Sequence, residues 1–271
     1  MPELAEVVYY RNQWLPAIGR TVAVVRLHPG ARVFREADPE TIASALPERK
    51  LLTADTHGKG MRFLFSGGLH LGVHLGMAGR LFTTPLPYQP DKHDHLVIEL
   101  KGRTAPGALV FNDYRMFGRI RLHEDAEAPP WWRDLPPEPQ ERRFTRARFE
   151  AILERRSRAP LKAVLLDQAC FPGFGNWMAD EALWRARLFP GLRATGLRKE
   201  ERARLYRDLR KVARDALRVI APDWTPPPAN WLFPHRWKDG GACPRDHTPL
   251  ERETLGGRTT CYCPVCQPPV A

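Results

Sequence analysis

Cysteines crowd the C-terminal end of this chain, and their spacing points directly to metal chemistry. Four of the five cysteines lie after position 242, and Cys263 and Cys266 form a Cys-x-x-Cys pair. Two thiolates at this spacing bind one metal ion, and a tetrahedral zinc site needs two further ligands. In an intracellular protein such clustering favours a metal over disulfide bonds. The sequence therefore predicts one zinc ion, Zn2+.

The remaining zinc ligands must come from upstream of this pair. Cys243 is the obvious third ligand, and we predict His247 as the fourth because imidazole is a good zinc ligand. Asp246 and Cys261 stay open as alternatives, because Asp246 also follows Cys243 closely and Cys261 would share a strand face with Cys263. A site filled by four side chains has no open position, which predicts a structural role and not a catalytic one.

The charge balance predicts a polyanionic partner. The chain has 271 residues, with 42 Lys or Arg against 31 Asp or Glu and a formal net charge of +11. Residues 141–218 alone hold 20 of those basic and 10 of those acidic residues, so nearly the whole excess lies in one middle stretch. Such a stretch suits contact with nucleic-acid phosphates.

Neither a membrane span nor a secretory signal is expected. No apolar run approaches the roughly 18 residues needed to cross a bilayer. The opening MPELAEVVYY carries acidic residues where a secretory signal would be basic. These features predict a cytoplasmic protein, associated with the nucleoid if its partner is DNA.

The elements that must position these residues change in character along the chain. Residues 3–18 have near-helical spacing of apolar side chains. From Thr21 to about Leu122 the sequence turns to short β-like runs separated by Gly and Pro, which predicts an antiparallel sandwich or barrel. These runs are TVAVVRL, MRFLF, LHLGVHL, HLVIEL and ALVFNDY.

A proline-rich stretch, PPWWRDLPPEP, follows and predicts an interdomain linker. Beyond it the pattern is helical, with apolar residues at spacings of three and four from Phe149 to Leu165. Residues 177–187 and 198–220 predict two further helices. A second breaker-rich stretch, residues 221–231, precedes the cysteine-rich end.

Six segments, in the same order, resemble the formamidopyrimidine-DNA glycosylase/endonuclease VIII superfamily. The opening MPELAEV resembles that family's N-terminus, and GGRTTCYCPVCQ resembles its zinc hairpin. LKAVLLDQACFPGFGNWMADEAL resembles the helix-two-turn-helix segment with its Gly-x-Gly-Asn turn. HLGMAGRL, KHDHLVIEL and FNDYRMFG lie between the opening and that segment. The resemblance covers nearly the whole chain.

The resemblance implies an α+β fold: an N-terminal helix with a two-layer β-sandwich, then a helix-two-turn-helix domain with a C-terminal zinc-finger hairpin. We expect a catalytic domain over residues 1–128, a linker over 129–141, the DNA-binding domain over 142–240 and the zinc finger over 241–271. The implied activity is removal of oxidised bases from double-stranded DNA, followed by β,δ-elimination at the abasic site. We expect the enzyme to act as a monomer.

The catalytic groups that the resemblance implies lie at the N-terminus. Pro2, after removal of Met1, attacks C1′ of the damaged nucleotide and forms an iminium intermediate. An α-amino group has an ordinary pKa of about 8, so more of it is neutral than of a lysine, whose pKa is about 10.4. Glu3 is the implied general acid at the sugar ring oxygen, and Glu6 faces the lesion pocket.

The resemblance also assigns DNA contacts. Lys59, on a β-hairpin turn, contacts a phosphate at the lesion and completes the catalytic set. Lys162, Asn176 and Arg258 bind phosphates, with Asn176 opening a helix whose free N–H groups suit an anion. Flipping a nucleotide leaves a gap in the base stack. Residues that fill this gap are Met77, Arg115 and Phe117.

Several residues depart from the family pattern. Ala5 and Val8 replace a usual proline and a usual acid, and Asp246 stands where a fourth cysteine is common. These departures suggest a divergent branch with its own lesion preference, such as oxidised pyrimidines or another lesion. A hypothesis of another class is a zinc-stabilised protein that binds damaged DNA without catalysis, against which the intact Pro2 and Glu3 argue.

Overall fold

Short strands lie along the chain between Val22 and Glu124 in the computed structural model, which describes residues 1–28, 30–237 and 239–269. The strands are β1 (Val22–Leu27), β2 (Leu51–His57), β3 (Gly60–Phe65), β4 (Leu69–His74), β5 (Arg80–Thr84), β6 (Asp94–Leu100), β7 (Ala108–Asn112) and β8 (Arg119–Glu124). Helix α1 (Leu4–Asn12) precedes them, and α2 (Pro39–Ala45) follows β1.

These strands form two antiparallel sheets, in the orders β1-β6-β7-β5 and β2-β3-β4-β8. Strand β3 shows why they pack face to face: Met61, Phe63 and Phe65 are buried, and the residues between them point the other way. Inward-facing side chains of both sheets belong to one hydrophobic core, and Val97, Ala108 and Val110 form a second, smaller cluster. The predicted β-sandwich is therefore confirmed.

Strands β2, β5 and β8, and helix α2, did not stand out in the sequence. Strand β8 has the sequence RIRLHE, in which only Ile120 is fully buried, so its apolar alternation is weak. Helix α2 is only seven residues long, and its start depends on a local cap. The Asp38 side chain accepts a hydrogen bond of 2.8 Å from the Thr41 N–H, and Pro39 occupies the first turn.

The second half of the chain is helical, as predicted. Its helices are α3 (Arg146–Arg155), α4 (Leu161–Leu166), α5 (Asn176–Ala186) and α6 (Lys199–Val219). The Thr145 hydroxyl caps α3 by accepting from the Arg148 N–H at 3.2 Å. Helix α6 buries Leu205, Leu209 and Val212 on one face, which is the helical repeat that the sequence shows.

A two-stranded hairpin ends the described chain. Strands β9 (Glu251–Leu255) and β10 (Arg258–Tyr262) pair antiparallel. Gly256 and Gly257 between them have φ values of +58° and +72°, so both residues of the turn adopt the left-handed conformation that glycine accommodates. The Gly-Gly pair is therefore required by the tight turn.

By its internal contacts the chain divides into two units. The first consists of Met1–Pro2 and Glu6–Leu135, and the second of Glu3–Ala5 with the chain from residue 136 onward. The segment Glu3–Ala5 thus packs with the helical unit. The four domain ranges expected from the sequence stay a prediction. Within the described residues, no helix combines the length and the apolarity that a membrane crossing requires.

Candidate functional site

The carboxylate of Glu3 lies at the N-terminus of α5. It accepts hydrogen bonds from the N–H groups of Trp177 at 3.0 Å and Met178 at 3.1 Å, and the residue is only 3% exposed. These N–H groups belong to the first turn of the helix, where the helix dipole also favours negative charge. Glu3 therefore caps α5 from a distant part of the sequence.

Two glycines allow this close approach. A Cβ at Gly175 would lie 2.2 Å from the Glu3 Cδ atom, and a Cβ at Gly173 would lie 2.8 Å from a Leu4 side-chain carbon. Gly173 also has φ +82°, and its carbonyl accepts from the Leu4 N–H at 3.0 Å. The Gly-Phe-Gly-Asn turn is thus built to receive the N-terminal segment of the chain.

This arrangement changes what the sequence predicted for Asn176. The helix N-terminus was expected to offer free N–H groups to a phosphate, but two of those groups bind Glu3. The Asn176 amide donates to the Thr259 carbonyl at 2.8 Å and so ties α5 to strand β10. A phosphate contact by Asn176 stays a prediction. Arg258, at the start of β10, has an exposed side chain.

The buried position of the Lys162 side chain contradicts the prediction that this residue contacts a phosphate. The residue is fully buried, and its ammonium group donates to the Asp180 carboxylate and, at 2.7 Å, to the Asn176 carbonyl. Burial lowers the pKa of Lys162, an effect that the charge of Asp180 opposes. A buried ammonium with these partners is not accessible to DNA. Lys162 instead holds the first turns of α5.

Asp180 is the centre of this buried network, and the sequence reasoning missed it. Its carboxylate is fully buried and binds Lys162, the Arg236 guanidinium and the Cys261 N–H, the last at 3.2 Å. One carboxylate thereby joins α4, α5, β10 and the segment before the hairpin. The available signal for Asp180 was an acid on a helix face that also holds Trp177, Leu183 and Trp184. Nothing comparable marked Arg236.

The other predicted catalytic and pocket residues lie in the first unit. Pro2 is half-buried and directly precedes Glu3, and Glu6 is 8% exposed in α1. Lys59 lies with Gly58 in the two-residue turn between β2 and β3, where Gly58 has φ +57°. This agrees with the hairpin position that was expected for the lysine.

The three residues predicted to fill the gap in the DNA stack lie on two adjacent loops. Gly76, with φ +61°, approaches the Phe117 backbone so closely that a Cβ would lie 2.4 Å from the Phe117 carbonyl carbon. Met77 and Phe117 are 37% and 42% exposed. The Arg115 guanidinium lies 5.1 Å from the centre of the Phe117 ring. Exposed apolar side chains at loop tips suit insertion between bases.

Near the C-terminus, three cysteines and one aspartate converge. The side-chain ligand atoms of Cys243, Asp246, Cys263 and Cys266 all lie within 4.8 Å of one another. Asp246 therefore replaces His247 as the fourth member of the cluster. His247 is exposed with φ +60°, and the backbone turn presents the preceding residue to the cysteines. Cys261 is also excluded, since it is not among these residues.

The donor set of this cluster fits a tetrahedral metal ion. The Cys243 and Cys266 sulfur atoms are 3.9 Å apart, close to the about 3.8 Å that two thiolates on one zinc ion would show. Asp246 Oδ2 lies 3.1 Å from the Cys266 sulfur. Burial, then the Asp246 carboxylate, raises the pKa of the Cys266 thiol to about 12. A metal ion that binds there would have to displace the thiol proton. All four cysteine residues of this region are free thiols and not disulfides.

Comparison with known proteins gives one consistent family. Residues 1–120 match the formamidopyrimidine-DNA glycosylase N-terminal domain, and residues 135–223 match the helix-two-turn-helix domain of the same enzymes. The formamidopyrimidine-DNA glycosylase of Thermus thermophilus is 37% identical over 282 residues, covering 98% of each chain. That of Solibacter usitatus is 34% identical, covering 98% of this chain and 99% of the relative.

Solved structures agree. A complex between Lactococcus lactis Fpg and DNA containing an abasic site superposes with a TM-score of 0.85 at 26% identity, covering 98% of this chain and 99% of that one. The two family models cover residues 1–120 and 135–223, and the relative from Thermus thermophilus and the solved complex each cover 98% of this chain. This chain belongs to the formamidopyrimidine-DNA glycosylase family of base-excision-repair enzymes.

Proposed function

We propose that this protein is a bifunctional DNA glycosylase that uses the Pro2 nitrogen as its nucleophile and Glu3 as its acid. The observation that carries the proposal is the position of Glu3: its carboxylate is fixed by two backbone N–H groups of α5, and the chain places it one residue from Pro2. A catalytic acid must be held rigidly while it transfers a proton.

The proposed reaction uses both groups in sequence. The Pro2 nitrogen forms a bond to C1′ of the damaged nucleotide, and the bond from C1′ to the base breaks as the base leaves with the amine proton. Glu3 then gives a proton to the ring oxygen. The bond from C1′ to that oxygen opens, and the nitrogen lone pair forms the iminium. β,δ-Elimination from this iminium breaks the strand.

The partner in this proposal is double-stranded DNA that contains a damaged base or an abasic site. Met77, Arg115 and Phe117 would occupy the gap left by the flipped nucleotide, and Lys59, Asn176 and Arg258 would contact phosphates. The exposed loop positions of Met77, Arg115 and Phe117, the turn position of Lys59 and the exposed side chain of Arg258 support these roles. We further propose that the enzyme acts as a monomer in the cytoplasm.

We also propose that the C-terminal cluster holds one structural zinc ion. Cys243, Asp246, Cys263 and Cys266 would bind it, and the ion would supply a cross-link that orients the β9–β10 hairpin. Zinc content of the purified protein, with a stoichiometry of one, tests this. Asp246→Ala is expected to release zinc more readily, whereas His247→Ala is expected to retain it. Equal retention by both variants would contradict the assignment of Asp246.

Trapping with borohydride tests the catalytic proposal. Reduction of an iminium on abasic-site DNA gives a stable covalent adduct, and peptide mapping is expected to locate it at Pro2. The protein is first shown by mass spectrometry to lack Met1. The matched control carries one extra residue before Pro2, which converts the nucleophilic amine into an amide. It is expected to bind the same DNA without forming the adduct.

The same assay separates the alternatives. A protein that lacks Met1, binds abasic-site DNA and gives no adduct would be the non-catalytic binding protein. An adduct at Pro2 would not identify the lesion that is removed. Excision assays on a panel of duplexes with oxidised purines and oxidised pyrimidines identify it. By its resemblance to the family, the segment 220–240 would cover the lesion. It holds Trp224, Trp231 and three consecutive prolines, and this composition favours a lesion preference of its own.

A further inference from the structure

A small cavity lies on the outer face of the β2-β3-β4-β8 sheet, within the first unit. Its volume is about 160 Å³, and its lining includes two indoles, two imidazoles and two guanidinium groups. Sites that enclose drug-sized ligands have volumes of about 300–1,000 Å³. The cavity is partly open, so it can enclose one ring system while a charged group attached to that ring lies at its mouth. The lining residues used below are His57, His74, Arg119, Arg121, Trp131 and Trp132.

The aromatic walls of the cavity are held in place by the strands beneath them. The Trp131 ring lies on Gly72 of β4 so closely that a Cβ there would be 2.7 Å from the ring. Trp132 lies beside Gly60 of β3 and makes an edge-to-face contact with His57 at 6.3 Å. The two indoles are 6.0 Å apart at an angle of 82°. They form a rigid corner against which a planar group can stack.

The polar part of the cavity carries excess positive charge. Arg119 and Arg121 occupy alternate positions of β8, and both contact the one carboxylate of Glu36, at 3.1 and 2.5 Å. A single carboxylate neutralises only one of the two guanidinium groups. Lys59 and Arg35 add further positive charge around His74. The local field therefore favours an anion.

His74 contributes a hydrogen-bond donor to this field. Burial, and then the charges of Arg119, Lys59, Arg121 and Arg35, lower the pKa of His74 to about 4, so its ring is neutral at neutral pH. Its Nδ1 atom accepts from the Gly76 N–H at 3.0 Å, which leaves the proton on Nε2. A neutral donor beside two guanidinium groups is suited to a phosphate oxygen.

We propose that this cavity binds one unpaired nucleotide, with its base against Trp131 and Trp132 and its phosphate at Arg119, Arg121 and His74. Stacking on aromatic side chains combined with a positive groove is the general means by which proteins hold unpaired nucleotides. The nucleotide is either free or part of a single-stranded segment of DNA. The lining of this cavity does not include Pro2, Glu3 or Lys59, and its test does not require base excision.

Titration calorimetry of the whole protein with deoxyguanosine monophosphate tests the proposal. Saturable binding is expected, and Arg121→Gln and Trp132→Leu are each expected to weaken it about tenfold or more. Arg121→Lys is expected to recover part of the loss because it keeps the charge. The control is Arg26→Gln, which removes the same charge from strand β1, where Arg26 forms an ion pair with Glu99 of β6. This variant is expected to bind normally. Thermal unfolding checks that each variant is folded.

Three further ligands show whether the base is recognised and whether the bound nucleotide is free or part of a DNA strand. Deoxyribose 5-phosphate, which has no base, is expected to bind much more weakly than the nucleotide. DNA with a single-stranded overhang and fully paired DNA are compared for wild type and Arg121→Gln. A loss on overhang DNA alone identifies a DNA strand as the ligand, and a loss on the free nucleotide alone identifies a free nucleotide. No saturable nucleotide binding together with no loss on overhang DNA, or an equal loss on paired and overhang DNA, would overturn the proposal.

Discussion

Two buried carboxylates lie at the start of α5, and they are stabilised in different ways. Asp180 is bound by the ammonium of Lys162, the guanidinium of Arg236 and one backbone N–H. Glu3 accepts from two backbone N–H groups of the helix terminus. Full charges in contact with Asp180 fix the surrounding elements. The helix terminus holds the Glu3 oxygens in place, at the position from which we propose that this side chain transfers a proton.

Asp180 is therefore a carboxylate that builds the site, and Glu3 is one that we propose to act in it. The sequence does not reveal that both carboxylates lie at α5, because 177 positions separate Glu3 from Asp180. Variants of each should differ in which property they affect most: activity for Glu3 and unfolding free energy for Asp180.

The largest effect is expected from Glu3→Gln. The amide keeps the shape of the side chain but has no acidic proton to transfer, so base excision should fall by roughly 10²–10⁴-fold. The loss of one N–H acceptor should lower the unfolding free energy by only about 1–2 kcal/mol. Single-turnover kinetics and urea unfolding measure the two. A variant that unfolds easily yet excises normally would reverse the roles assigned to the two carboxylates.

Asp180→Asn should affect stability first. It leaves Lys162 and Arg236 buried without a full counter-charge, and breaking a buried pair in this way costs about 3–5 kcal/mol of unfolding free energy. Urea unfolding measures this loss. The control is Asp239→Asn, which breaks an ion pair with Arg252 in the same unit; the Asp239 carboxylate is 97% exposed, so a far smaller change is expected. Equal effects would mean that burial of Asp180 does not matter.

His74 extends the comparison to a buried group whose neutral form is the favoured one. Its pKa of about 4 lies below the ordinary value of 6.5, so between these pH values the unfolded chain binds a proton that the folded chain does not. Stability should therefore be complete above pH 6.5 and fall by up to about 3 kcal/mol as the pH drops to 4. Urea unfolding across this range measures it. His74→Gln should have a shallower pH dependence, and an unchanged curve would contradict the cause.

The smallest effect is expected from Thr145→Ala. Thr145 caps α3 with a hydroxyl from its own segment, as Glu3 caps α5 from a distant one. Removing this cap should lower the unfolding free energy by about 1 kcal/mol and leave base excision unchanged. Thermal unfolding and the excision assay check both. A loss of excision here would show that helix capping alone, without an acidic group, explains the effect of Glu3→Gln.

The charge distribution shows where sequence reasoning overreached. The basic stretch 141–218 predicted phosphate contact, yet many of its arginines are engaged within the protein. Arg202 pairs with Glu150 at 3.2 Å, and Arg204 and Arg210 donate to backbone carbonyls. Net charge is additive along a sequence, but access to a ligand depends on what each guanidinium contacts after folding. The prediction for Lys162 was wrong for the same reason.

The cysteine cluster shows the opposite case. Cys243, Cys263 and Cys266 were predicted from spacing alone, because two thiols separated by two residues can reach one ion from a single turn. The fourth position was undecided between neighbours. His247 has a left-handed backbone conformation, which turns the chain so that Asp246 faces the sulfur atoms. The residue types in this segment do not predict that conformation.

The sequence by itself determined the family, the sandwich and helical halves, the three clustered cysteines and the N-terminal Pro-Glu pair. These follow from local patterns: alternation of apolar residues, helical spacing and short motifs. Only the tertiary structure decided that Glu3 caps α5, that Asp180 joins Lys162 to Arg236, and that two tryptophans of the linker wall a cationic cavity. Such contacts join residues far apart in the chain, and their energies depend on burial and distance, which exist only once the chain has folded.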